Sequence, residues 1–424
     1  MLLYWLLNKI SDVERLIKMK NKDKTFIWSD GWWIEGNDAW FVGGMSNILF
    51  CLNLNTNECK TAVHIPDTKP NVFRLNPNCV KYDSYIICFP GLGECIWIYN
   101  LENQKFSYIN INNPDKVQLL FEIQKYGDKI FAVSEGWNKV IEVDVKQKEI
   151  EYYVVSERDC FAKSIFVNNV VYSLSAVENK VYQFNLDTKK VEEIIIPKAD
   201  EELYTICFDG EKFWLSGYKK KIYVWNKETD TLTIIDKFPD DFGIYNFTGD
   251  ADIVLDCEKE EYGVPLCPTF LYSIMVGEYV WFIPYTTNKI IYINKKNYKL
   301  YSFEIEDENE TRDTLLANLL HHKYLLEYVK DNRFIGLYSL KNNRILEIDA
   351  KELNYKWKDY TFSDKSLTQC CEINNNKLCR EGDSLERLVY CKKIKRIHDD
   401  ASNVIMKNSG KIIYDKIMID LSDS

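Results

Sequence analysis

The chain has 424 residues, 46% apolar and 14% aromatic, with 28 Tyr, 21 Phe and 11 Trp. That stock suffices for a large packed core and excludes a disordered chain, and so many aromatic and β-branched residues favour strands. The formal charge of −10, from 54 basic and 64 acidic residues, opposes a phosphate backbone and excludes nucleic acid as an expected partner.

Residues 1–20 (MLLYWLLNKISDVERLIKMK) set Leu3, Leu6, Leu7, Ile10, Val13, Leu16 and Ile17 at helical spacing and predict an N-terminal amphipathic helix. Its apolar start has no basic residue ahead of it and no small-residue cleavage site, and no segment approaches the ~20 apolar residues of a membrane span. No membrane partner is expected.

From residue 21 to 382 one pattern recurs: an apolar strand, a short turn often ending in Asn-Lys, and an alternating strand that closes on Asn or Asp. In chain order the copies are ILFCLNLNTNECKTA from Ile48, CIWIYNLENQKFSYI from Cys95, NKVIEVDVKQKEIEYY from Asn138 and NKVYQFNLDTKKVEEI from Asn179. They continue with KKIYVWNKETDTLTI from Lys220, NKIIYINKKNYKLYSF from Asn288 and NRILEIDAKELNYKW from Asn343. The closing residues Asn53, Asn100, Asp144, Asn185, Asn226, Asn294 and Asp349 are separated by 47, 44, 41, 41, 68 and 55 positions.

A period of roughly 40–50 residues with four strands per unit is the signature of a β-propeller. Seven four-stranded blades are expected, in an all-β fold with short helices at both termini. Asn or Asp suits the turn from the third strand into the fourth, because its side chain bonds the local backbone and tolerates left-handed conformations. Thirteen positions before the anchors stand Trp40, Ile87, Phe131, Tyr172, Phe213, Trp281 and Gly336, six of them bulky, as a second strand packed between blades requires. Gly-Asp, Asn-Asn and Asp-Gly steps after Leu119, Ser164 and Tyr204 mark hairpins between first and second strands.

Two long intervals carry insertions, 239–268 and 306–322, expected on the rim shared with the turns between second and third strands. After the seventh copy, SLTQCCEINNNKLCREG from Ser366 reads as another first hairpin, and 24–28 are candidates to pair with it, so an incomplete eighth blade is the alternative. Residues 383–424 read as a tail of two short helices, Ser384–Ile397 and Gly410–Leu421.

Over roughly 24–362 the sequence resembles the kelch and related propeller families, including WD-repeat-like ones. The best matches are Gly43-Gly44 with Asn47 and Asn53, then VYQFNLDT and IYVWNKET. Only the first copy has the double glycine, and no Trp-Asp dipeptide occurs, so the resemblance implies the superfamily and no subfamily.

Chemistry is harder to find. Histidines stand at 64, 321, 322 and 398, and the adjacent pair has no Asp or Cys at ligand spacing, so no metal is expected. Thirteen cysteines, an odd number, mostly sit singly in apolar runs such as those of Cys51, Cys88 and Cys207, and predict free thiols and a cytoplasmic protein. Cys370, Cys371, Cys379 and Cys391 fit no paired zinc spacing. GLGEC at Gly91 lacks the Lys and helix of a phosphate loop and reads as a turn, and no cofactor is expected.

Register supplies the candidates instead. Glu122, Lys163 and Glu327 each precede an anchor by 22 positions, on the first strands that line a propeller's channel. Trp137, Tyr218 and Tyr285 fall in the turns between second and third strands, where exposed aromatics on a common rim stack on a sugar or anchor a protein. The sequence therefore predicts a non-enzymatic binding or scaffold module for a protein or glycan partner on the rim bearing the insertions. A carbohydrate-active enzyme, hydrolase or lyase, with its site at the channel mouth is the alternative.

Overall fold

In the computed structural model, which describes residues 29–44, 47–66, 75–112, 119–197, 199–243, 268–285, 287–305, 323–339, 342, 344–359 and 361–362, every regular element is a strand. The first blade is β1 (Trp33–Glu35), β2 (Asp38–Val42), β3 (Ile48–Asn53) and β4 (Glu58–His64); the second is β5 (Asn78–Tyr82), β6 (Tyr85–Phe89), β7 (Cys95–Asn100) and β8 (Phe106–Asn110). The third is β9 (Leu120–Tyr126), β10 (Lys129–Glu135), β11 (Lys139–Asp144) and β12 (Glu149–Val154); the fourth is β13 (Phe161–Val167), β14 (Val170–Ser175), β15 (Lys180–Asn185) and β16 (Val191–Ile195). The fifth is β17 (Leu203–Phe208), β18 (Phe213–Gly217), β19 (Ile222–Asn226) and β20 (Thr231–Ile235); the sixth is β21 (Phe270–Val276), β22 (Tyr279–Pro284), β23 (Ile290–Asn294) and β24 (Leu300–Phe303). The seventh is β25 (Tyr324–Lys330), β26 (Phe334–Ser339), β27 (Arg344–Asp349) and β28 (Asn354–Lys358), and β29 (Thr361–Phe362) ends the described chain.

Within each blade the four strands pair antiparallel in chain order, and the first strands of successive blades face one another round the ring, β25 meeting β1. The fold is a seven-bladed β-propeller. All seven anchors end a third strand. Each anchor's Oδ1 accepts the backbone N–H groups two and three positions on, at 2.8–3.4 Å. These bonds curl the chain so tightly that the residue four past every anchor is left-handed, with φ of 52–59° at Asn57, Gln104, Lys148, Lys189, Asp230, Tyr298 and Leu353. One side chain per blade thus sets the whole outer hairpin.

The blades cover one another. Trp40 packs between blades one and two, Ile87 between two and three, Phe131 between three and four, Tyr172 and Phe213 between four and five, and Trp281 between six and seven. Gly336 breaks the series for a reason: a Cβ there would run into the Tyr328 ring. Tyr328 passes over it and donates its hydroxyl to Glu347 at 2.6 Å.

Closure brings together strands from the two ends of the described chain. The first blade is complete from one stretch of chain, and β29 adds to it as a fifth, outermost strand, parallel to β4 with Thr361 opposite Glu58. Since β25 meets β1 directly, no eighth blade stands in the ring among the described residues. The segments 1–20, 24–28, 306–322, 366–382 and 383–424 lie outside the described residues, as does 244–267 of the first insertion. The opening of that insertion folds inward, with Phe242 packed against Phe238 at 4.6 Å and Phe270 at 6.0 Å.

Asn185→Ala removes two hydrogen bonds and is expected to destabilise the protein by about 1–2 kcal/mol in chemical denaturation. Leu353 is left-handed without glycine's freedom or asparagine's tolerance. Leu353→Asn is expected to stabilise by about 0.5–1 kcal/mol, and no change in the denaturation midpoint would show that the turn carries no strain.

Candidate functional site

The first strands enclose a cavity of about 320 Å³ at the centre of the ring. Glu122 on β9, Lys163 on β13 and Glu327 on β25 all line it, as their shared register implied. The same count of 22 back from the remaining anchors reaches Asn78, Gly31 and Tyr272, which also line it, and Tyr204, which contacts Lys163.

Strand irregularities tune this ring. The pairing of β13 slips between Phe161 and Ser164, that of β17 between Leu203 and Thr205, that of β21 between Phe270 and Tyr272, and that of β25 between Leu326 and Tyr328. Lys163, Tyr204 and Glu327 sit within these slips. A bulge leaves one residue unpaired and re-aims its side chain.

On one side of the cavity the Lys163 ammonium bonds Glu135 Oε2 at 2.8 Å, and the Tyr204 hydroxyl donates to Glu135 Oε1 at 2.6 Å. The ammonium also lies 5.7 Å from the centre of the Tyr204 ring and 5.3 Å from that of Tyr272. Burial works against the charge of Lys163, but Glu135, with Tyr204, Tyr272 and Glu122 behind it, prevails and holds the ammonium protonated well above the ordinary lysine range. Burial drives Tyr204 the same way, to a neutral phenol, with Lys163 opposing and Glu135 assisting. Glu122 stays open to channel water although blades surround it. That enclosure raises its carboxyl, Lys163 pulls it back, and Glu135 adds a little upward.

Glu327 does a different job. Only 2% exposed, it receives the Ser29 hydroxyl at 2.6 Å and the Ser29 N–H at 3.3 Å, while its own carbonyl accepts the Trp32 N–H at 2.7 Å. Trp32 in turn stacks on Phe41 at 4.6 Å and on Tyr328 at 5.3 Å. Glu327 therefore clasps the entry of the first blade to the last. Burial raises its carboxyl to about 8, against the two Ser29 bonds.

The three turn aromatics do not converge on the cavity, and none lines it. Trp137 is 5% exposed and packs edge-on against Phe121 and Tyr152, both at 6.2 Å, in the core between blades two and three. Tyr218 is half-buried, its N–H bonded to Glu201 at 2.5 Å. Tyr285 is half-buried too, its N–H bonded to Thr269, and close enough to raise the Tyr204 phenol. Among the described residues no cluster of His, Cys, Asp or Glu has the arrangement of a metal site. The thiols of Cys51 and Cys79 are pushed up to about 12 by burial, which makes them inert.

No family model matches the chain, and no curated protein matches it in sequence. Among solved structures it is similar to virginiamycin B lyase from Staphylococcus aureus, at 14% identity over 76% of this chain and 93% of that one, with a TM-score of 0.51. A catalytically inactive variant of that lyase with quinupristin gives 14% over 75% and 93%, also at 0.51. The computationally designed Ika8 protein gives 8% over 80% and 89%, at 0.50. At such identities the likeness is one of fold.

The Glu327 carboxyl rises from its unfolded value of about 4.3 to about 8, so the native state binds that proton more tightly than the unfolded chain. Its contribution is complete below the unfolded value and declines as pH rises through this window, by on the order of 1 kcal/mol per pH unit. Glu327→Gln is expected to flatten the fall in melting temperature between pH 5 and 8 relative to the native protein. Parallel pH profiles for the two would refute it.

Proposed function

We propose that the chain is a non-enzymatic binding propeller for a protein or glycan partner, whose contacting group enters the channel mouth. The observation that carries this reading is the bridge that Glu135 makes between Lys163 and Tyr204. A nucleophilic lysine or a basic phenolate needs a depressed pKa, whereas Lys163 and Tyr204 are both driven upward and bridged by Glu135. The strongest polar cluster in the cavity is thus set to hold and orient a ligand. Deeper in the channel, Ile165, Ile206 and Ile274 give an aliphatic wall beneath the polar ring, the usual division in a ligand pocket.

The carbohydrate-active alternative needs carboxylates converging with Trp137, Tyr218 and Tyr285. The carboxylates of Glu122 and Glu327 border the cavity without those rings, and Glu327 is engaged in closing the blades. Binding is the better-supported reading.

A calorimetric screen of peptides and oligosaccharides tests it. The affinity of a ligand that binds the native protein should change about tenfold or more with Lys163→Met, and less with Tyr204→Phe, which keeps the ring. Chemical turnover of that ligand, or affinity indifferent to both changes, would overturn the proposal.

A further inference from the structure

Two acceptors at the channel mouth lack donors. The Glu122 side chain makes no hydrogen bond or ion pair among the described residues, although its carboxylate is open to the cavity. On the neighbouring first strand, β5, the Asn78 Oδ1 is buried and has no hydrogen-bond partner among those residues. A buried acceptor left unmatched costs about 1–3 kcal/mol, so turning the Asn78 amide toward a ligand's donors recovers that loss.

Charge selects the kind of donor. Around Lys163 stand two carboxylates, Glu122 and Glu135, against one ammonium, and the ion pair at 2.8 Å consumes Glu135. An anionic ligand meets this excess with repulsion, and neutral hydroxyls satisfy Asn78 while leaving the Glu122 charge unmatched. A cation answers both.

The cavity also demonstrates its fitness for an ammonium, because it already holds one. Lys163 places its own between the faces of Tyr204 and Tyr272 with a carboxylate as partner. Beside it, the partly buried Ile123 and Ile165 offer an aliphatic surface along which an alkyl stem can lie.

We propose that the channel mouth receives an alkylammonium group, which bonds Glu122 and Asn78 next to the internal Lys163–Glu135 pair. This rests on the channel reading above and narrows the ligand to one that carries a primary amine, either a lysine side chain of a protein partner or a free alkylamine.

Titration calorimetry on the full chain tests it with Nα-acetyl-lysine methylamide, butylamine, the neutral Nα-acetyl-norleucine methylamide, hexanoate and a neutral oligosaccharide. The two amines are expected to bind, and the norleucine compound about tenfold or more weakly. Tighter binding of the lysine compound than of butylamine assigns the amine to a protein partner, and equal binding to a free amine. Glu122→Gln should reduce amine affinity about tenfold while leaving the melting temperature unchanged, since Glu122 makes no bond that holds the fold. Equal binding of the norleucine compound, or binding of hexanoate or the oligosaccharide in place of the amines, overturns the ammonium inference; if Lys163→Met still abolishes it, the channel reading survives. Failure of every probe to bind, or binding untouched by either substitution, sinks both.

Discussion

A ring of blades holds together only if the last finds the first, because each sheet has two faces to cover and no core of its own. In this protein the joint is a carboxyl group. Glu327 receives a hydroxyl and an N–H from Ser29, 298 positions earlier in the chain, and its backbone fixes Trp32 against Phe41 and Tyr328. Tyr328 reaches Glu347 over the bare backbone of Gly336, and Lys356 and Lys358 complete the neutralisation. Other seams join apolar interdigitation to polar ties such as Lys163–Glu135, and the chain itself links their blades. The seam between seventh and first is tied by buried polar groups at a junction that no continuous chain bridges. β29 then seals the outer edge of the first blade, where an unpaired strand would otherwise stand open.

The repeat frame was legible because it rests on local chemistry. An Asn or Asp at a strand end curls the next residues in the same way in every copy, so one residue type at a steady interval marked all seven third strands and, by subtraction, the second-strand aromatics and three channel residues. Tyr204, Tyr272 and Asn78 were within reach of that same count, but phenols and amides on an aromatic-rich background draw less notice than charges. Glu135 carried no such signal, since its value lies in contacts with Lys163 and Tyr204 on two following blades. Trp137 was placed on the right turn, yet a turn position says nothing about whether other side chains of its own blade cover it. Phe121 and Tyr152 do. The role of Glu327 was illegible for the opposite reason: the register put it in the channel, and only the long-range return of Ser29 removes it from the solvent.

The channel mouth and the closure joint share one wall but divide the chemistry. At Lys163 the ammonium is paired with Glu135 and held protonated well above the ordinary lysine range. At Glu327 burial without a cation favours the neutral acid, so the seam is tightest when protonated. A ligand entering the mouth meets a field set by the first group, not the second.

The bulges fall unevenly. First strands of blades four to seven carry them, whereas those of blades one to three pair in unbroken register. A repeat protein with identical blades would present a near-sevenfold symmetric well, in which a small molecule could settle in any of several equivalent orientations. Here half the wall is regular and half is buckled, so that degeneracy is gone. A bound molecule then has one best pose, at an orientational entropy cost of about RT ln 7, or roughly 1 kcal/mol, relative to the symmetric well. Divergence of the blades has converted a rotor-like cavity into one with a single preferred orientation, which is what discrimination among ligands of similar shape requires.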